Sequence, residues 1–239
     1  MRFLFIYLVF IAVIISFYIT IIGKYEKQLL STQNELAGVV YLRSIYQFSV
    51  DLGEYIGHIE LNIDQQKINE SKEYILKDID TILSLQKQYP QFTNSNLNEK
   101  LEAIRTFQSD DVEYYDFLDY INHENYRIGD VSGLLFEADR KMYFLGTLIT
   151  HYMPEYLISI LLTHNVIEEI SHKGDVSNNK KNLYLEHNKL VYLSSEELDG
   201  IIALLHPYPE THKLSGLVHQ TIHQLEIMSK TIDIVSPWK

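Results

Sequence analysis

The sequence predicts an all-α fold, and three observations predict it. Along most of the 239 residues, apolar side chains recur at intervals of three and four, the period of one helix face. Strict apolar–polar alternation, the mark of a half-buried strand, is nearly absent. Ten glycines and five prolines are too few for a turn-rich all-β chain. The architecture expected is an N-terminal transmembrane helix followed by an elongated antiparallel helical bundle, built as one module or as two stacked four-helix modules.

The first element is the membrane anchor. Residues Phe3 to Ile22 read FLFIYLVFIAVIISFYITII, twenty residues without a charge. A helix of that length spans about 30 Å, the thickness of a bilayer's hydrocarbon core. A cleaved signal peptide would have a shorter apolar core, roughly 7–15 residues, ending at a small-x-small site. Here the run ends Ile21-Ile22-Gly23-Lys24 with no such site, so an uncleaved anchor is expected over residues 1–23. Arg2 stands on one side, and Lys24 and Lys27 on the other, so charge gives no strong vote on orientation. No second apolar run of bilayer length follows, which predicts a single span. The helical domain then covers 24–235, and 236–239 form a short tail.

The segment from Lys24 to about Ile63 has no proline. Its stripe of Leu29, Leu36, Val40, Ile45 (or Leu42), Ser49, Leu52, Ile56 and Ile59 predicts one helix about 60 Å long. A second helix is expected from about Gln66 to Gln88, with Ile68, Ile75, Ile79, Ile82 and Leu85 on one face. Tyr89-Pro90 closes it, because a residue before proline is pushed out of the helical region. The polar turn Thr93-Asn94-Ser95-Asn96 leads into a short helix from Leu97 to about Phe107. Ser109 or Asp110 then caps a third long helix, favoured by Asp111 and Glu113 at its positive end and running as far as about Tyr152. Gly129 and Gly133 inside it suit close helix packing. Met153-Pro154 marks a break or kink before a helix from Glu155 to about Ser171. A Gly-, Ser- and Asn-rich loop from Lys173 to Asn182 precedes two last helices, about Leu183–Leu205 and Leu214–Val235.

Composition excludes several function classes. The formal charge is −12, and phosphate neutralisation supplies most nucleic-acid affinity, so no nucleic-acid partner is expected. With Arg2 the only charge before Lys24, the remaining 19 basic and 32 acidic residues give the helical region −13. There is no cysteine, which removes disulfides, thiolate metal sites and cysteine nucleophiles together. No nucleophile elbow, phosphate loop, dinucleotide fingerprint or calcium loop occurs, so the chain is read as neither an enzyme nor the holder of a cofactor.

Two stretches carry a resemblance. Glu35-Leu36-Ala37-Gly38-Val39-Val40-Tyr41-Leu42 lies just past the anchor. Further on, Asp130, Ser132 and Leu134 make an Asp-x-Ser-x-Leu pattern, Asp139 follows, then Tyr143-Phe144-Leu145, and Pro154. In order and spacing this resembles the N-terminal helical sensor region of bacterial membrane receptors: methyl-accepting chemotaxis proteins, sensor histidine kinases and membrane-bound diguanylate cyclases. Ala138 departs from the pattern, standing where proline is expected. The resemblance implies the extracytoplasmic sensing region of a single-pass protein of the bacterial inner membrane, without its output half. It also implies a homodimer, and as partner a small organic-acid or amino-acid ligand or a periplasmic binding protein.

The residues that would hold a ligand are scarce. Of five arginines, Arg43, Arg105, Arg127 and Arg140 serve the −13 region. A guanidinium fork pairs with both oxygens of a carboxylate. Arg43 with Tyr46, and Arg127 with Tyr126, are therefore the candidate ligand-binding residues, the tyrosines walling the pocket. The plainer alternative pairs each arginine with a nearby acid on the bundle surface, at little energetic gain. Glu35, Gly38, Tyr41, Asp130, Ser132, Asp139, Tyr143 and Pro154 are expected to set helix register rather than touch ligand. His219 and His223 stand four apart with Glu226 beyond, the spacing of a metal grip, and His206 or His212 would approach from the adjoining loop. Gln220 occupies the place of a zinc protease's glutamate, however, and a solvated helix face is the expectation, with no metal. The first rival to the sensor reading is a membrane-tethered helical structural or interaction protein without a small-molecule ligand, and the second is a metal-dependent hydrolase built on His219, His223 and Glu226.

Overall fold

The computed structural model describes residues 2–61, 64–106, 111–135 and 140–174, with scattered positions between 178 and 227; for 2–21, 111–113 and 115 it describes backbone alone. Among the described residues all regular structure is helical. The order is α1 (Arg2–Glu60), α2 (Gln65–Gln88), a 3-10 turn (Pro90–Phe92), α3 (Ser95–Arg105), α4 (Asp111–Ser132), α5 (Arg140–Thr147), a π-helical turn (Leu148–Tyr152) and α6 (Met153–Lys173).

α1 is one helix of 59 residues, about 90 Å long. No proline interrupts it, so nothing breaks the backbone between the apolar segment and the domain. Among the described residues no helix is long and apolar enough to cross a membrane; the side chains of 2–21, which hold the apolar segment, are not among those described. From Ala37 onward α1 is the centre of the fold and packs against α2, α4 and α6. Tyr41, Leu42, Ile45, Phe48, Leu52, Tyr55 and Ile56 are all buried.

α2 opens on Asp64, whose carboxylate accepts from the Gln66 amide, and it runs back along α1. His58 meets Ser71, and Gln86 meets Tyr41, so the two helices are antiparallel. Ile75, Ile79 and Ile82 are fully buried on this face, each contributing about 1.5–3 kcal/mol of apolar burial. As expected the helix ends at Tyr89-Pro90. The 3-10 turn seats Phe92 against Tyr41, with ring centroids 5.2 Å apart. Asn94 then caps α3 by accepting from the amides of Asn96 and Leu97.

α4 runs antiparallel to α1. Tyr114 packs edge-on to Tyr55 near one end, Phe117 to Phe48 further along, and Ser132 meets Gly38 at the other end. The expected run to about Tyr152 stops at Ser132. Gly133 has φ +88°, a left-handed conformation that a side chain would strain, and it turns the chain. Asp139 and Ala138 lie outside the described residues. Met153-Pro154 makes no break: the π turn carries straight into α6, where Pro154 takes a first-turn position that needs no amide donor. α6 runs parallel to α1. Leu161 lies over Gly53, Asn165 over Gly57, and the Lys173 ammonium donates to the Glu60 carbonyl at 2.8 Å. A smaller cluster, Leu148, Tyr152 and Tyr156 with Ile201, Ile202 and Leu205, sits on α6's other side.

Candidate ligand site

On α4, Tyr120, Glu124 and Arg127 follow one another at intervals of four and three, which places them on one helix face. That face meets the Phe92–Asn94 turn. The Glu124 side chain is 2% exposed and is held from two sides. Arg127 donates to it through Nε at 2.9 Å and through Nη2 at 2.6 Å, and Asn94 Nδ2 donates at 2.8 Å. The same Arg127 Nη2 also donates to the Phe92 carbonyl at 2.8 Å. Asn94 Nδ2 lies 3.2 Å from the Tyr120 hydroxyl as well. Beside this group the buried Tyr41 hydroxyl accepts from Gln86 Nε2 at 2.8 Å.

The electrostatics follow from the geometry. The Glu124 hydrogen bonds hold the Arg127 guanidinium even more firmly protonated than usual. Burial, and then the Glu124 charge, push the Tyr120 phenol up. Burial alone dominates at Tyr41, which also feels the charges of Glu124 and Arg127. The cluster is a neutralised ion pair with its lone pairs satisfied, the condition under which a buried charge is tolerated.

On the far side of Tyr120 an open groove of about 360 Å³ runs between α3 and α4, lined by Asn96, Glu99, Lys100, Ala103 and Tyr120. The Lys100 ammonium sits 5.0 Å from the Tyr120 ring centroid. That volume lies at the lower end of small-molecule sites. Tyr120 therefore joins the groove to the ion pair: its ring floors the groove, and its hydroxyl reaches Asn94 and, through it, Glu124.

A second polar feature lies where α4 meets the π turn and α6. Asn125 is fully buried and neither atom of its amide has a hydrogen-bond partner. Asn122 Oδ1, three residues earlier, is enclosed without a donor, and so is the Tyr46 hydroxyl on α1. Asn122 and Asn125 share their face with Gly129, which packs on Thr150 of the π turn. Tyr46 shares its face with Gly53 and Gly57, which α6 covers. Burial pushes the Tyr46 phenol up.

The structure distributes the expected residues as follows. Arg127 is the centre of the ion-pair cluster, and Tyr126 beside it is exposed, edge-on to His151 at 6.2 Å. Arg43 is exposed on α1, and Tyr46 is half-buried with its hydroxyl enclosed. Gly38 and Ser132 are brought into contact, while Tyr41 and Pro154 are buried. Glu35 accepts from Ser31 at 2.9 Å, and Asp130 and Tyr143 are exposed. His212, His219 and His223 are exposed, while His206 and Glu226 lie outside the described residues. Among the described residues no group of three or more His, Asp or Glu is placed to hold a metal.

Sequence reasoning missed Asn94, Lys100, Tyr120 and Glu124. The signal for two of them was present: Glu124 stands one turn before Arg127, and Tyr120 one turn before Glu124. No protein-family model, curated protein or solved structure matches the chain.

Proposed function

We propose that the chain is the extracytoplasmic ligand-sensing region of a single-span bacterial signal-transduction receptor, relaying helix movement to the membrane. The observation that carries this reading is the continuity of α1: the same uninterrupted helix includes the apolar segment and forms the centre of the bundle. Any event that changes how α2, α4 or α6 packs on α1 acts on a rod that leads into the apolar segment. A shift of 1–2 Å in such a rod is a known form of helix signalling.

The ligand class is a small organic acid or amino acid bound in the groove between α3 and α4. Lys100 offers a cation there and Tyr120 a flat apolar floor. A carboxylate drawn further in competes with Glu124 for the Arg127 fork, which links binding to the packing of α4. The receptor works as a homodimer, and the lower part of α1 supports this. Leu29 is 62% exposed and Leu36 65%, with Val40 also exposed, whereas Leu42, Ile45, Leu52 and Ile56, on the other side of α1, are taken up by the bundle's own core. The elongated antiparallel arrangement and the anchor at residues 3–22 belong to the same proposal.

That exposed stripe also favours the second reading, a membrane-tethered helical interaction protein without a small ligand. Membrane fractionation tests what both share. The full chain, expressed in a bacterium, should sediment with membranes, resist carbonate extraction and be degraded by protease added to spheroplasts. Recovery in the soluble fraction contradicts the anchor, and protection from protease contradicts the orientation.

A further inference from the structure

The seam between α1 and α2 contains two acids that face one another. Asp51 of α1 and Asp78 of α2 are both half-buried, and their carboxyl groups are within hydrogen-bonding reach of each other. Asp78 Oδ2 is fully enclosed and receives no donor. Gln47 Nε2 donates to Asp51 Oδ1 at 3.0 Å, so the amide serves Asp51 rather than Asp78. Two carboxyl groups in contact cannot both ionise without repulsion, but one proton between them makes a hydrogen bond.

We infer that Asp51 and Asp78 share a single proton and form a pH-dependent clasp between α1 and α2. With the proton present, the pair ties the two helices together; without it, two like charges press α1 and α2 apart. The charges felt at Asp78 are those of Asp51 and of Lys77 on its own helix, the latter opposing protonation. Arg105 of α3 is engaged by Asp80 and Glu102. Two turns along the seam, His58 Nδ1 is 2.8 Å from Ser71 Oγ. Because α1 continues into the apolar segment, loosening its contact with α2 changes the element that the proposed receptor uses for output. The clasp itself requires no bound ligand.

Burial and then the contact with Asp51 raise Asp78 to about 7, far above an ordinary carboxyl. Between the unfolded value near 4 and about 7, the folded chain holds a proton that the unfolded chain has released. The contribution to stability is therefore full at low pH, is lost as pH rises to about 7, and changes little above that.

The test uses the full chain in detergent micelles. Infrared spectroscopy should show a protonated carboxyl at about pH 6 that disappears by about pH 8 and is missing from Asp78→Asn. Because the native chain has no cysteine, spin labels at Glu54→Cys and Tyr74→Cys, both exposed, report the α1–α2 spacing when the labelled chain is diluted in excess unlabelled chain, which suppresses distances between copies. That spacing should widen over the same pH range in the native sequence and stay constant in D78N, whose amide donates to Asp51 at every pH. Should D78N fail to fold, Asp51→Asn also removes the repulsion between two like charges, and the α1–α2 spacing should again stay constant over that pH range. Absence of the protonated carboxyl at about pH 6, or an α1–α2 distance that changes equally with and without the Asp78 substitution, overturns the clasp.

Discussion

Gly38 of α1 and Ser132 of α4 touch so closely that no side chain fits between them. A Cβ built on Gly38 would overlap the Ser132 Cβ and stand 2.6 Å from its Oγ, with Leu134 Cδ1 at 3.4 Å. This is where the end of α4 is pinned to α1, one residue before Gly133 reverses the chain. Both stand among the residues expected to set helix register, and they meet at this contact.

Replacing Gly38 with Ala should therefore destabilise the fold by about 1–3 kcal/mol through overpacking. Chemical denaturation of G38A, S132G and the double variant measures it. The two substitutions should couple favourably, by about 1 kcal/mol, because removing the Ser132 side chain makes room for the new methyl.

Glu124→Ala should cost about 3–5 kcal/mol, since it leaves the partly buried Arg127 guanidinium and the Asn94 amide without their acceptor. Arg105→Ala breaks only exposed pairs with Asp80 and Glu102 and should stay within about 1 kcal/mol. Equal losses from the two substitutions would mean that the Glu124 cluster does not hold α4 to the Asn94 turn.

The two buried tyrosines should separate in alkali. Burial raises both Tyr41 and Tyr46, so each contributes stability that is complete below the ordinary phenol value near 10 and is lost as pH climbs beyond it. Tyr46→Phe removes a hydroxyl that has no partner, and it should be neutral or stabilising while reducing alkaline sensitivity. Tyr41→Phe strands the Gln86 amide and should cost about 1 kcal/mol at neutral pH. Unfolding monitored across pH together with phenolate absorbance distinguishes the two.

Leu36→Cys should form a disulfide-linked dimer on mild oxidation of membranes containing the full chain. No native cysteine exists, so any disulfide joins two copies. Glu54→Cys, exposed about five turns further along α1 at the level of the bundle's core, should cross-link far less. Equal cross-linking at both positions would remove the argument for a two-fold interface along lower α1.

Much of the fold was legible because helix period, caps and proline act locally. The end of α2 at Tyr89-Pro90 and the start of α3 after the Asn94 turn could be read from a few neighbouring residues. The reversal at Gly133 was not, because a glycine in a helical pattern serves close packing or a left-handed turn equally well until tertiary contacts decide. Gly129 took the first role and Gly133 the second. The π turn at Leu148–Tyr152 leaves no mark in composition, so Met153-Pro154 read as a break although the helix continues. At the site, the arginine scarcity pointed to Arg127, but the plainer alternative of a nearby acid describes its immediate partner, Glu124. The groove escaped notice because Lys100 and Tyr120 are distant in sequence and ordinary on their own helices. Taken as one stripe from Leu29 to Ile59, the α1 pattern hides a five-residue step from Val40 to Ile45 that turns it about 140° round the helix, so the exposed Leu29, Leu36 and Val40 lie opposite the buried Ile45, Leu52 and Ile56.

Thermal melting of the full chain in micelles against a panel of organic acids and amino acids tests the sensing claim most directly. A ligand present at about one hundred times its Kd stabilises by about 2.7 kcal/mol, a rise of roughly 5–10 °C for a domain of this size. At least one compound carrying a carboxylate should produce such a rise in the native chain and a much smaller one in Lys100→Ala. No shift from any compound, or an undiminished shift in K100A, would contradict a carboxylate sensor built on this groove.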